Sequence, residues 1–174
     1  FSGKTAADVE EYLRQQVDGY ELTILELDNA TDVIRGSDIN LEYKENSDVE
    51  DALKAQNPLL WVKAFFSRTS TDVTIDVEYD QTALDEKIQS LQAVVREQTE
   101  PVSAYPKFDG NSFVVEPEVY GTAVNMETLT SKIEEYITEF KSELDMEAEE
   151  CYKIPQYTSE SPEVQAACDT MNQY

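Results

Sequence analysis

YPKFDGNSFVVEPEVYG, residues 105–121, predicts a β-hairpin that ends abruptly. Asp109-Gly110 supplies residues that tolerate the positive φ of a tight turn, between the strand YPKF and the strand SFVVEP. Pro117 has no backbone N–H to donate, so it ends the second strand or places that strand at a sheet edge. The fold must therefore combine this hairpin with the helical segments on either side of it.

Helical and strand periodicities alternate along the rest of the chain. The segment TDVTIDVEYD (71–80) alternates apolar and polar residues and predicts a half-buried strand. Apolar residues recur at helical spacing in 83–95 and 126–140, and further helices are predicted after Thr5 and after Ser161. Shorter predictions are strands at 20–27, 142–150 and 151–157, extended pieces at 33–45 and a helix at 48–56. This order, without regular βαβ units, indicates an α+β class with mixed strands and about four helices.

One motif recurs in the two halves of the chain. Val9-Glu10-Glu11-Tyr12-Leu13 resembles Ile133-Glu134-Glu135-Tyr136-Ile137, and an alternating strand follows each. The 174 residues suit a single domain, 1–174, with possible sub-halves 1–98 and 99–174 packed together as two related helix–strand units. Chance similarity between two amphipathic helices explains the repeated motif equally well.

The charge balance excludes several classes of partner. Thirteen Lys plus Arg stand against 37 Asp plus Glu, which gives a formal net charge of -24. Such a surface repels phosphate backbones and anionic headgroups, so we expect no nucleic-acid partner and no direct membrane binding. The charge serves solubility or, as the alternative, attraction of cations and amine-bearing ligands.

No segment predicts membrane insertion. The longest apolar stretch, LLWVKAFF (59–66), is interrupted by Lys63 and is far shorter than the roughly 20 residues that a membrane helix needs. The chain begins with Phe1, from which we expect an excised fragment whose targeting segment, if any, lay upstream.

The sequence offers little catalytic chemistry. It contains no histidine, which excludes Ser-His-Asp and Cys-His triads and HExxH zinc sites. Neither GxxxxGK[ST] nor GxGxxG occurs, and the calcium-loop candidate at Asp38 lacks the required Gly and Glu. We therefore predict no enzyme, no cofactor and no metal. A hydrolase that uses two carboxylates is the remaining catalytic alternative among 37 acids.

Four side chains are candidates for ligand binding. Trp61 follows the helix stop Asn57-Pro58, where an indole could stack on a sugar ring; a core tryptophan is the alternative. Tyr105, Lys107 and Tyr120 flank the hairpin and suit a glycan or peptide, although a solvated sheet edge would carry the same residues.

Two cysteines stand near the C-terminus, Cys151 and Cys168, and neither belongs to a CxxC pair. A disulfide between them would join the predicted C-terminal helix to the predicted strand CYKIPQY and contribute about 3 kcal/mol. Two buried free thiols are the alternative. A disulfide would favour a location outside the cytoplasm.

The segments GKTAADVEEYL, GSDINLEYKE, DVEDALKAQNPLLWVKAFF, FDGNSFVVEPEVYGTAVNMETL and CYKIPQYTSESPEVQAACDTMNQY occur here in the order of one family. The chain resembles the peptidoglycan-binding domain that precedes the catalytic YkuD-type domain of L,D-transpeptidases in Gram-positive bacteria. The likeness extends over essentially the whole chain, and the hairpin with Pro-Glu-Val-Tyr-Gly and the terminal Ala-Cys-Asp-Thr-Met-Asn are its most specific parts.

This resemblance implies a non-catalytic domain at the cell wall or cell surface, anchored through an upstream membrane segment. Its expected partners are peptidoglycan strands or stem peptides, together with the transpeptidase domain in the same full-length chain. The family also has cysteine where this chain has Cys151 and Cys168, which favours the disulfide, and neither stands in the transpeptidase's catalytic motif. A spacer or protein–protein interaction module of a cell-wall enzyme, with no ligand of its own, is the alternative function.

Overall fold

A computed structural model of the protein describes residues 6–44 and 76–174. Its helices are α1 (Ala6–Asp18), α2 (Gln81–Gln89), α3 (Gln92–Val95), α4 (Met126–Thr138) and α5 (Pro162–Met171). Its strands are β1 (Glu21–Leu25), β2 (Thr31–Arg35), β3 (Glu42–Lys44), β4 (Asp76–Glu78), β5 (Tyr105–Phe108), β6 (Phe113–Glu116) and β7 (Glu143–Asp145). Short 3₁₀ segments cover Leu27–Asn29 and Gly36–Ile39. The predicted α+β class is confirmed.

The described strands form three small sheets, and β1 lies at the centre of the three-stranded one, in the order β2-β1-β7. Strand β1 is antiparallel to β2, and the turn between them places Asp28 at φ 61° and Asn29 at φ 59°. Asp and Asn adopt this left-handed conformation more readily than other non-glycine residues, which explains the turn at this point. On its other side β1 pairs in parallel with β7, with Thr23 opposite Glu143. Strands β3 and β4 pair with each other, as do β5 and β6.

One continuous apolar core joins the N-terminal and C-terminal parts of the chain. Its buried side chains come from helices α1, α2 and α4 and from strands β1 and β7; they include Val17, Leu22, Ile24, Leu84, Ile88, Ile133, Ile137 and Leu144. Burial of each such side chain contributes about 1.5–3 kcal/mol. The amphipathic stripes of the sequence therefore point to the residues that form the core.

The two segments that resemble each other in sequence occupy neighbouring places. Helix α1 leads into β1 and α4 leads into β7, and these two strands are parallel neighbours. The rings of Tyr20 and Phe140, each just after its helix, meet edge to face with centroids 5.3 Å apart. Tyr20 also donates a hydrogen bond from its hydroxyl to the Lys141 carbonyl oxygen. This arrangement is the one expected of two helix–strand units, and their relatedness stays a prediction.

The hairpin formed by β5 and β6 is confirmed, with a loop over Asp109–Ser112. The Asp109 carboxylate accepts hydrogen bonds from the backbone N–H groups of Asn111 and Ser112, and Gly110 takes φ 105°. Helix α5 packs against both hairpin strands. At the end of this helix the Asn172 side chain binds both backbone groups of Phe113: its Oδ1 accepts from the N–H at 2.6 Å, and its Nδ2 donates to the carbonyl at 2.8 Å.

Three local predictions are wrong. Of the strand predicted at 142–150, only Glu143–Asp145 (β7) is a strand, and a turn follows it. The predicted helix over 83–95 is broken after Gln89, where the Ser90 hydroxyl donates to the Lys87 carbonyl at 2.6 Å and Leu91 takes an extended conformation. A hydroxyl that binds its own backbone competes with helix continuation. The segment CYKIPQY is not a strand, because beyond the single bridge between Tyr152 and Val124 the ring of Pro155 leaves no N–H to continue the ladder. The predicted helix at 48–56 lies outside the described residues.

The predicted disulfide is not formed, and both cysteines are free and buried. Cys151 packs in the main core, whereas Cys168 lies on α5, whose buried face rests on the hairpin. The two thiols thus serve two different packing surfaces. Burial raises the pKa of the Cys151 thiol to about 11, which keeps it protonated at neutral pH.

The thiol state gives a direct prediction. In denaturant and without reductant, a thiol reagent should count two free thiols per chain, because the two cysteines belong to different packing surfaces. Dithiothreitol should leave the Tm unchanged. An unfolded, unreduced chain with no reactive thiol, together with a Tm that falls on reduction, would contradict the structure.

Candidate functional site

An open groove of about 320 Å³ lies where the segment after the hairpin meets the segment after Cys151. We call it the Tyr120 groove. Its lining residues are Leu27, Tyr120, Gly121, Glu147, Glu150, Tyr152, Lys153 and Ile154. They combine exposed apolar side chains with carboxylates, which is the character of a surface that binds an amphipathic ligand.

Backbone pairing brings the two sides of the groove together. The bridge between Val124 and Tyr152 is antiparallel, and the Lys153 N–H donates to the Ala123 carbonyl at 2.8 Å. One step further, the Asn125 N–H donates to the Cys151 carbonyl at 2.8 Å. These bonds hold the two segments in a fixed register, so the groove belongs to the framework of the domain.

Gly121 allows the backbone of the Tyr120 side to approach a neighbouring segment closely. A Cβ atom at this position would lie 2.0 Å from the Thr99 carbonyl oxygen and 2.8 Å from the Glu100 carbonyl carbon. Thr99 and Thr122 then clasp each other reciprocally: each backbone N–H donates to the other residue's hydroxyl, at 3.0 and 3.1 Å. The glycine of Pro-Glu-Val-Tyr-Gly is thus required by packing, and it holds Tyr120 in place.

A tight turn after β7 carries the two groove carboxylates, Glu147 and Glu150. The Asp145 carboxylate accepts hydrogen bonds from the N–H groups of Glu147 and Ala148, at 3.0 and 3.1 Å. Glu150 takes φ 57°, and the Cys151 N–H then closes the turn onto the Met146 carbonyl. Asp is well suited to this role because its side chain binds backbone N–H groups two and three residues ahead. Both glutamates are left exposed on a fixed turn.

The basic residue of the groove already has a partner. Lys153 Nζ lies 2.7 Å from a carboxylate oxygen of Glu100. In contrast, Glu147 and Glu150 form no ion pair within residues 6–44 and 76–174. Tyr152 is half-buried, and its oxygen accepts a hydrogen bond from the Leu27 N–H. Burial and the charges of Glu26 and Glu147 raise its pKa. The groove therefore has an excess of negative charge.

Glu26 is a buried carboxyl group next to this site in sequence. Its exposed fraction is 6%, and neither of its oxygens has a hydrogen-bond partner among the described residues. Burial raises its pKa to about 7 and the neighbouring Asp32 adds to the rise, while the positive charge of Arg96 opposes it. Near neutral pH the group is therefore partly protonated, since an isolated buried carboxylate is costly.

Of the four residues predicted to bind ligand, Tyr120 is the one that lines the groove, with 64% of its surface exposed. Tyr105 and Lys107 lie on β5 outside the groove; Tyr105 is 46% exposed, and Lys107 forms an ion pair with Glu116 at 2.9 Å. That carboxylate raises the pKa of Lys107 and holds its ammonium group on the hairpin. Trp61 lies outside the described residues.

Sequence reasoning missed the second side of the groove, which Tyr152, Lys153 and Ile154 form. Ile154 is 68% exposed and stands directly before Pro155. A residue before proline is held extended, so an apolar side chain there can be kept on the surface. The sequence Lys153-Ile154-Pro155 contains this pattern of an apolar residue before proline, but it lies within CYKIPQY, the segment predicted to be a strand.

Two other kinds of site are absent from residues 6–44 and 76–174. Within the part of the chain that the structure describes, no three or more Cys, Asp or Glu side chains come together as a metal centre. The helices in these same ranges are also too short or too polar to cross a bilayer.

Gly121→Ala should destabilise the domain strongly. The added Cβ meets main-chain atoms that cannot rotate away, so we expect a loss of about 3 kcal/mol in the free energy of unfolding. The matched control is Gly19→Ala, whose Cβ would meet its nearest atom at 3.4 Å. Equal denaturation midpoints for the two variants would show that the close approach at Gly121 is not required.

Glu26→Gln should stabilise the protein in a pH-dependent manner. Below about pH 4.5 the carboxyl is protonated in both states, whereas between 4.5 and 7 the unfolded chain ionises first and stability is lost. The variant should therefore gain about 1–3 kcal/mol over the parent at pH 8 and nothing at pH 4. Glu86→Gln, at an exposed position, is the control, and a gain that is equal at both pH values would be evidence against a buried carboxylate.

Comparison with known proteins gives one match. Residues 33–149 match the model of the family described as "Putative peptidoglycan binding domain". No curated protein and no solved structure matches the chain. The matched residues contain strands β3 to β7 and the end of β2, the hairpin, Tyr120, Gly121 and Glu147, and they account for well over half of the chain. The chain therefore belongs to this peptidoglycan-binding family.

Proposed function

We propose that the protein is a non-catalytic domain that binds peptidoglycan strands and positions them for an L,D-transpeptidase. The catalytic domain would be part of the same full-length chain, outside the cytoplasm and anchored through an upstream segment. Membership of the peptidoglycan-binding family supports association with the cell wall. The resemblance of the whole chain to domains that precede YkuD-type domains supports the enzyme partner.

The observation that carries this proposal is the composition of the Tyr120 groove. Its exposed aromatic ring, Tyr120, suits the apolar face of a sugar, and its unpaired carboxylates suit the amines of stem peptides. Both kinds of group are present in one peptidoglycan repeat. A groove of about 320 Å³ is large enough for one such group and open enough for the polymer to continue on either side.

The hairpin extends this surface. Val102 and Val119 pair through two 2.8 Å hydrogen bonds in the register of the β5–β6 ladder, so Tyr120 directly follows the hairpin. Tyr105 and Lys107 are on that ladder, and alternation along a strand places them on one face. We propose that they contact the strand that enters or leaves the groove.

The proposed role of this domain includes no catalysis. The chain contains no histidine to act as a base, and Cys151 is buried with a raised pKa, which makes it a poor nucleophile. The cross-linking chemistry would therefore lie in the partner domain.

The test is retention of the chain on insoluble sacculi that have been stripped of teichoic acid. Retention should rise with the amount of sacculi and saturate, and Tyr120→Ala should weaken it about fivefold, which corresponds to one aromatic contact of about 1 kcal/mol. Tyr174→Ala, at a fully exposed terminal position, is the control and should bind as the parent does.

A chain that remains in the supernatant at low salt would overturn peptidoglycan binding. That outcome would favour the spacer or protein–protein interaction module, for which Tyr105, Phe108 and Val114 on the exposed part of the hairpin would provide apolar contacts. Equal loss of binding in Tyr120→Ala and Tyr174→Ala would assign binding to another surface.

A further inference from the structure

The Tyr120 groove contains two carboxylates that are not paired with a basic side chain among the described residues. Among the described residues that line it, the basic side chain is Lys153, which forms an ion pair with Glu100 at 2.7 Å. Glu147 and Glu150 have no such partner in the described part of the chain, and both stand exposed on the turn that Asp145 fixes. A ligand that enters the groove therefore meets uncompensated negative charge on a preorganised backbone.

The remaining walls are apolar. Ile154 and the Tyr120 ring are mostly exposed, and Leu27 also lines the groove. Apolar walls beside two carboxylates fit a short methylene chain that ends in an ammonium group, because each part of such a group then meets its complement. An aromatic face near a cation adds a further attraction.

We propose that this groove recognises the free side-chain ammonium group of a diamino acid in an un-cross-linked stem peptide. This inference rests on the proposed function and names the part of peptidoglycan that the groove binds. A sugar ring could stack on Tyr120 and donate hydroxyl hydrogen bonds to Glu147 and Glu150, but it would leave their negative charge unneutralised. An anionic group is disfavoured by those same carboxylates and by the net charge of -24.

Recognition of this group would make the domain sensitive to the state of the wall. Cross-linking converts the ammonium into a neutral amide: its nitrogen bonds to the acyl carbon of a neighbouring stem peptide, the peptide bond from that carbon to the donor's terminal residue is broken, and that residue leaves as an amine that takes up the two protons. The amide keeps the methylene chain but loses the charge that Glu147 and Glu150 complement. The groove would thus bind strands that can still act as acyl acceptors and would release them once the bond has formed.

The test compares mock-treated sacculi with sacculi whose amines have been acetylated beforehand. Acetylation should weaken retention of the parent chain at least fivefold. The double variant Glu147→Gln/Glu150→Gln should bind untreated sacculi at least fivefold more weakly than the parent and should be insensitive to acetylation. The pair Glu86→Gln/Glu160→Gln removes the same charge from exposed positions outside the groove and should behave as the parent does. Thermal unfolding of all variants confirms that each is folded.

A soluble tripeptide that ends in lysine separates stem-peptide amines from amines on the glycan. It should compete with untreated sacculi, and its Nε-acetylated form should compete at least fivefold less well. If acetylation abolishes retention but the tripeptide does not compete, the amine belongs to the glycan and the stem-peptide assignment is wrong.

The remaining outcomes are also decisive. Equal retention on acetylated and untreated sacculi would overturn the ammonium site while leaving peptidoglycan binding intact. Equal losses in the two double variants would show that overall charge, and not the groove, attracts the wall. Failure to bind either kind of sacculus would overturn the proposed function itself.

Discussion

The parallel pairing of β1 with β7 is the constraint on which the rest of the structure depends. It joins Thr23 to Glu143 across most of the chain and places helices α1 and α4 over one core. Both strands run in the same direction, so the segments that follow them emerge at the same end. There the Met146 N–H binds the Leu25 carbonyl and the Leu27 N–H binds the Tyr152 oxygen. The Tyr120 groove thus lies beyond the carboxyl ends of two parallel strands, a common position for ligand sites in sheets.

Rigidity in the groove comes from polar contacts that sequence spacing would not indicate. The Thr99–Thr122 clasp, the turn held by Asp145 and the close approach at Gly121 each fix backbone without a large apolar side chain. Close by, Glu26 works against stability, since it keeps a carboxyl group out of water without a hydrogen bond. Within residues 6–44 and 76–174 the structure therefore combines a well-satisfied surface framework with one unsatisfied buried side chain.

Local patterns predicted much of the fold. The strand predicted at 20–27, the helix predicted at 126–140 and the Asp109-Gly110 hairpin all follow from periodicity and turn chemistry, which act over a few residues. The helix break at Ser90 was missed because a single hydroxyl decides it. The parallel contact of β1 with β7 depends on residues about 120 positions apart, and no local pattern specifies such a pairing.

In the candidate site, too, local patterns indicate some residues and long-range contacts determine the others. Tyr120 could be selected from its side chain and its place after the hairpin, whereas Glu147 and Glu150 are two acids among 37 until the turn presents them. The predicted disulfide failed for a related reason. Cys151 and Cys168 are close in sequence, but the helix that carries Cys168 packs on the hairpin and not on the core around Cys151.

The Asn172 side chain has a consequence for how copies of this domain can coexist. By binding both the N–H and the carbonyl of Phe113, its amide occupies the place that a neighbouring strand would take on β6. An open edge of this kind invites pairing with another chain and is a frequent origin of aggregation. Copies of any domain that are held close together meet at high local concentration, where such pairing would be fastest. A single amide at the end of the last helix thus helps crowded copies remain separate.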